Sequence, residues 1–459
     1  MPTILPDDLS LDRASLHAAF AAGTLRPDAV IALIHRRLAA LDDPGIFLHL
    51  VPEPEARAAA AALPPFDPAR FPLWGLPVAV KDNIDIAGLP TTAACPRFAY
   101  RAAGSAPAVA RLLAAGAVLV GKTNLDQFAT GLVGVRTPYP APRNAFDATR
   151  VPGGSSSGSA VAVARGLASL ALGTDTAGSG RVPAALNNLV GLKPSLGAVS
   201  TRGVVPACRS LDCVSVFALT VADAWAGFAA IAGADPEDAF SRPVDLAPLP
   251  PIRRLGLPRA PLLAESAAEA AWEGAVALLG APGIETVALD MADFHETARL
   301  LYDGPWVAER AAAVGDLAAA DPDAVHPVTL AILRGAGRFT AVDAFRGFYQ
   351  VQEMRRRTAP VWQGVEAIAV PSVPCFPTLA ALAADPHGPN AQLGTWTNFV
   401  NLLDLAALAV PGPFRPDGLP AGITLIGPRG TDAALAAVGG RFQAMAQPRL
   451  GATPARLSA

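Results

Sequence analysis

Near the start of the chain, Val30, Ile31, Ile34 and Leu38 fall on one face of residues 27–41. Apolar residues at that spacing predict an amphipathic helix. Residues 8–43 read as two such helices, broken at Gly23-Thr24, whose job is packing. The pattern changes at Trp74. From there to Val80 the chain carries no charge, and the run stops at Lys81, which predicts a buried strand. A helix over 106–115 and a strand over 117–121 make one β/α repeat, and 122–128 opens a further helix or a loop. Residues 199–219 read as turns and short strands, and 221–232 as a helix. Strand-like patches recur at 255–257, 367–371 and 422–427, separated by helices over 263–279, 294–313 and pieces of 341–403. Strands alternating with helices predict an α/β fold.

Composition agrees with a large core: 52% of the 459 residues are hydrophobic and 16% charged. One compact α/β unit is the simplest expectation, with the proline- and aspartate-rich stretch after Gly233 as a linker or surface loop. A net charge of −3 and a pI near 6.1 argue against a nucleic acid or anionic membrane as partner. No window offers the ~18 uninterrupted apolar residues of a membrane span. The first residues lack a signal peptide's basic-then-apolar order, so a cytoplasmic location is expected. Cys208 and Cys213 lie close together, but no second pair and no nearby histidine completes a zinc set. Like Cys95 and Cys375 they are expected to be buried thiols, in a protein that needs no metal or cofactor.

The chemistry gathers in residues 151–194. Two clusters of small and hydroxylic residues, Gly153-Gly154-Ser155-Ser156-Ser157-Gly158 and Thr174-Asp175-Thr176-Ala177-Gly178-Ser179-Gly180, let the backbone turn tightly and expose its N–H groups. Such loops bind anions or stabilise an oxyanion. Ser179, just before a short helix predicted over 181–188, is well placed to attack a carbonyl. The first cluster also fits the G-x-S-x-G elbow with Ser156 as nucleophile. Residues 140–152, however, make a poor preceding strand, and His295, His326 and His387 stand in helix or turn contexts. A P-loop fails because Ser159-Ala160, not Lys-Ser/Thr, follows Gly158. Without histidine, another base is needed. Lys81, at the end of a buried strand, can lose its proton to desolvation and then collect one from Ser179 through Ser155. The plain reading of Lys81 alone is a solvated lysine just past a strand.

Taken together, Lys81, the GGSS beginning at Gly153, and Thr174 to Gly180 followed by Gly191-Leu192-Lys193-Pro194 resemble the amidase signature family. The separations, 74 residues from Lys81 to Ser155 and 24 from Ser155 to Ser179, fit its pattern. The likeness covers residues 25–430 and is strongest over 74–220. It implies an α/β/α fold around a large, mixed, twisted central sheet, with one amidase domain over 1–459: N-terminal helices 8–43, a catalytic core over 70–235, and a second half over 250–440 with substrate-binding helices. It implies a Ser-cisSer-Lys triad in which Ser179 is the nucleophile, Ser155 the bridging serine with a cis peptide, and Lys81 the base. The backbone N–H groups of Thr176, Ala177, Gly178 and Ser179 would form the oxyanion hole.

Within that family the chain resembles the amidase domains of allophanate hydrolases, in residues 123–131, 206–213 and 301–310 and in Ser157. Allophanate is urea carrying a carboxylate, and the resemblance implies Tyr302 and Arg310 as its contacts, with Gly131 as a backbone contact. An arginine fork can hold a carboxylate bidentately. Eight residues apart on one helix, Tyr302 and Arg310 would stand about two turns apart on roughly one face. Read without the resemblance, Arg310 is a surface partner of Glu309 or an aspartate, and Tyr302 a core residue. The implied reaction is hydrolytic deamination of allophanate to ammonia and N-carboxycarbamate, in urea or s-triazine nitrogen catabolism. The resemblance implies a homodimer, for which the helices after residue 260 are one candidate interface. Full-length allophanate hydrolases carry a further C-terminal domain that this sequence lacks, so a missing domain or a separate partner would process the product. Three readings stay open beside this one: a broader small-amide amidase, the amidase subunit of a tRNA-dependent amidotransferase, which the low charge disfavours, and a scaffold that keeps the fold without the chemistry.

Overall fold

The computed structural model describes residues 8–280, 283–446 and 449–456. Its main element is one mixed sheet of eleven strands. In chain order these are β1 (Phe47–Leu50), β2 (Pro77–Lys81), β3 (Val118–Thr123), β4 (Leu170–Asp175), β5 (Val190–Lys193), β6 (Cys213–Ala218), β7 (Arg254–Pro258), β8 (Glu285–Leu289), β9 (Ala367–Pro371), β10 (Leu405–Pro411) and β11 (Gly422–Pro428). Across the sheet they run β1-β3-β2-β4-β6-β5-β10-β11-β9-β7-β8. The trio β3-β2-β4 is parallel, as is β9-β7-β8, and the strands between them pair antiparallel.

The central strands are buried at every position, so their apolar runs are continuous rather than alternating. The alternation survives in size. Val78, Val80, Leu170, Leu172, Val214 and Val216 join one core layer, whereas Ala79, Ala171 and Phe217 face a second with Ala160 and Val163. Successive side chains of a strand point to opposite faces, and the small residues let the helix Ser157–Ala164 sit close to the sheet. That helix is buried all round, as expected of an apolar helix with no polar face.

The two N-terminal helices form as expected, at Arg13–Ala21 and Pro27–Leu41. Asp12 caps the first by accepting from the Ser15 N–H at 2.9 Å. The single helix expected over 294–313 does not form. Helices Ala292–Asp303 and Trp306–Ala320 are separated at Gly304-Pro305, because proline has no N–H to continue the ladder and clashes with the preceding turn. The strands Phe47–Leu50, Glu285–Leu289 and Leu405–Pro411 are additions to the sequence reading.

Candidate active site

β2 and β4 are parallel neighbours, with Val80 paired to Leu172, so both open at the same edge of the sheet. Crevices outside the C-terminal ends of parallel strands are where α/β proteins place their ligands. Lys81 closes β2, and Thr174-Asp175 closes β4 and leads into the second glycine-rich cluster. The first cluster arrives beside them as the turn entering the helix Ser157–Ala164, with a cis Gly154–Ser155 peptide. Two main-chain bonds pin this turn: Gly154 N–H to Leu132 O at 2.8 Å and Asp126 N–H to Ser155 O at 3.0 Å.

Three side chains predicted from the sequence meet here in a line. Lys81 Nζ lies 2.8 Å from Ser155 Oγ, and Ser155 Oγ lies 2.8 Å from Ser179 Oγ. All three are buried. Burial pushes the Lys81 ammonium down to about 7, against the opposite pull of Asp126, Asp212 and Asp175. An amine with that affinity is available in neutral form near physiological pH. Lys81 also donates to Thr174 Oγ1 at 2.9 Å, a contact the sequence reading did not name. Ser156, the alternative nucleophile, donates to Thr174 O at 3.2 Å and forms no part of the line.

The second cluster is held from behind. Burial opposes ionisation of Asp175, but Arg181, Lys193 and the Gly180 N–H keep it below the usual carboxylate range. Arg181 reaches it with Nε at 2.9 Å and Nη2 at 2.8 Å, and also donates to Thr397 O and Asn401 Oδ1. Thr176 Oγ1 donates to Asp212, whose carboxyl burial pushes up to about 6 against bonds from Thr176, Cys208 and Ala207 and the charge of Arg310. The result is a loop whose N–H groups at Thr176, Ala177, Gly178 and Ser179 donate to nothing among the described residues. Gly178 has φ +141°, and a Cβ there would run into the Thr397 hydroxyl. Free N–H groups next to a hydroxyl are the geometry that stabilises an oxyanion.

The remaining predicted residues gather on one flank. Arg310 is only 1% exposed. Its guanidinium lies 5.2 Å from the Tyr302 ring centroid, and Nη1 donates to Thr130 Oγ1 at 3.3 Å. Nε and Nη2 have no hydrogen-bond partner among the described residues. The surface pairing with Glu309 does not occur, since Glu309 accepts from Ser210 N–H and Oγ at 2.7 and 2.8 Å. The shared helix does not occur either: Tyr302 and Arg310 stand on the two helices flanking Gly304-Pro305, and the bend brings them together. Gly131 follows Thr130, and its main-chain groups bond to nothing among the described residues. Among the described residues there is no cluster of three or more His, Cys, Asp or Glu that could hold a metal ion, and no helix is long and apolar enough to cross a membrane. All four cysteines are buried and free.

A family model described as Amidase matches residues 29–436. The chain belongs to the amidase family. This amidase is therefore an amidohydrolase, and the mixed sheet flanked by helices is that family's fold. Urea amidolyase of Saccharomyces cerevisiae is 49% identical over 379 residues, 81% of this amidase but 21% of the relative. The chain thus spans about a fifth of the length of the urea amidolyases it matches. A glutamyl-tRNA(Gln) amidotransferase subunit of Chloroflexus aurantiacus is 35% identical over 441 residues, 87% of this amidase and 89% of the relative. Among solved structures, an allophanate hydrolase of Kluyveromyces lactis superimposes with a TM-score of 0.91 at 42% identity, over 98% of this amidase and 75% of that chain.

Proposed function

We propose that the chain hydrolyses the terminal amide of allophanate, releasing ammonia and N-carboxycarbamate, with Ser179 as nucleophile and Lys81 as base. The observation that carries the substrate is Arg310, a buried cation with two unpartnered donors beside Tyr302. An arginine is always charged, and a buried one lacking an ion pair calls for an anion. Likeness to urea amidolyase and to allophanate hydrolase supports the same reading.

In the proposed mechanism Ser179 Oγ adds to the carbamoyl carbon while its proton passes to Ser155 and the proton of Ser155 passes to neutral Lys81. The oxyanion that forms is met by the N–H groups of the 176–179 loop. The carboxylate is held by Arg310, with Tyr302 beside it and the Gly131 main chain within the same flank. Collapse of the adduct breaks the C–N bond, and the proton on Lys81 returns through Ser155 to the departing amine, which leaves as ammonia. Water, deprotonated by the same route, then frees the acyl group from Ser179. Likeness to the allophanate hydrolases extends the proposal to a single amidase domain acting as a cytoplasmic homodimer, with a further domain or separate partner consuming the product. Light scattering on the purified chain tests the dimer.

The deciding experiment is ammonia release from freshly prepared allophanate, with Ser179→Ala as control and a panel of neutral amides. Release that needs both allophanate and Ser179 is the expected result. Faster turnover of neutral amides would replace the substrate by a broader one. The likeness to the glutamyl-tRNA(Gln) amidotransferase chain favours one further candidate, glutamine, and its hydrolysis in preference to allophanate would point to an ammonia-supplying role within a larger complex.

A further inference from the structure

Ser179 is only 2% exposed, so any substrate reaches it through a passage, and the polar groups along that passage select what passes. A cavity of about 580 Å³ adjoins the site, with Tyr302 in its wall. The side chains behind that wall lead inward. Asn390 accepts from the Leu132 N–H at 2.8 Å, one residue from Gly131. Asn398 follows Thr397, which packs on Gly178 and accepts from Arg181 through its carbonyl.

Two features of this cavity serve no structural bond. Asn398 is 8% exposed, lines the cavity, and has its Oδ1 unpartnered. A buried amide oxygen left without a donor is costly, and a ligand N–H would satisfy it. At the rim, Arg299 forms no ion pair among the described residues, because Glu296 is engaged by Arg357 and Asp343 by Arg346. Arg338 stands beside it and donates to Tyr302 O at 3.3 Å. Among the described residues, Asp303 is the only acid in the lining.

We propose that this cavity is an approach chamber for a small anionic ureide, in which Arg299 draws in the carboxylate and Asn398 accepts from the ureide N–H before the molecule passes Tyr302 to Arg310. The inference rests on the carboxylate-bearing substrate proposed above.

The test compares allophanate with biuret, its neutral isostere. Association rate constants for both are measured by stopped-flow tryptophan fluorescence on Ser179→Ala protein, with and without Asn398→Asp or Arg299→Glu, at low ionic strength, and allophanate turnover is measured in the active enzyme. Asn398→Asp keeps the shape and adds a negative charge, and Arg299→Glu alters only the exposed rim. The expected result is a slowing of allophanate association, relative to biuret, of about tenfold for Asn398→Asp and about threefold for Arg299→Glu, the latter fading in ~0.5 M salt. If allophanate is turned over but both ligands shift together or not at all, the chamber is overturned while the proposed reaction stands. If the unaltered chain neither binds nor hydrolyses allophanate, the reaction is overturned and the chamber with it.

Discussion

At the scale of single residues, the site is a matter of burial acting on a few polar groups. Lys81 has its pKa brought to about 7 by burial, so kcat/KM should rise with pH through an inflection near 7, and Lys81→Met should remove the activity that rises. A profile flat between pH ~5.5 and ~8.5 would take Lys81 out of the base role. Arg310→Leu should lower kcat/KM for allophanate by ~10²-fold or more, the scale expected when one partner of a buried charge pair is lost, and should leave biuret far less affected. Steady-state kinetics on both compounds decide it. The proposed roles of Lys81, Ser155 and Ser179 came from the likeness of the two glycine-rich clusters to a known family, and the fold brings the three side chains into one line. Thr174 and Asp212 were harder to see: each acts through a neighbour's hydroxyl or amine, and nothing in a threonine at a strand end or an aspartate in a loop announces that partner.

At the scale of elements, legibility followed the pattern of side-chain sizes. β2 and β9 emerge from short apolar runs bounded by charged or polar residues, and β11 from a β-branched run around Thr424. Leu405–Pro411 does not, since its three alanines are the best helix formers and only its place between β5 and β11 makes it a strand. The break at Gly304-Pro305 needed the proline to be weighed above the helical spacing on either side. The loop after β4 carries two element-scale predictions. Gly178→Ala places a side chain at φ +141° and against Thr397, at a cost of ~1–3 kcal/mol. Its Tm should fall while turnover falls further, because the N–H array is displaced. Arg181→Met leaves Asp175 buried without its partner, and denaturant unfolding should show a loss of ~3–5 kcal/mol.

At the scale of the whole molecule, the titration of the site is coupled to folding. The folded pKa of Lys81, about 7, lies below the ordinary lysine value of 10.5, so between those two values the unfolded chain binds more protons. Stability from this group is full above ~10.5 and is lost as pH falls to ~7. Asp212 and Asp223 act in the other sense: burial raises both to about 6, so their contribution is full below ~3.8 and gone above ~6. All three penalties therefore overlap between pH ~6 and ~7. The Tm advantage of Lys81→Met over the unaltered chain should be full at and below pH ~7 and close by pH ~10.5; an advantage constant with pH through that window would refute the coupling. The bend at Gly304-Pro305 has one more consequence. The groups proposed to break the bond come from residues 81–179, whereas Tyr302 and Arg310 arrive on a pair of helices from elsewhere in the chain, which pack on the first set through Leu301 and Trp306 against Leu132, Val133 and Ala177 and through the Arg310–Thr130 bond. On the proposed roles, reaction and selectivity are carried on separate stretches of polypeptide. Recombination that exchanged the helical pair would redirect the hydrolase to a new amide only if the incoming helices kept the apolar contacts of Leu301 and Trp306 with Leu132 and Ala177.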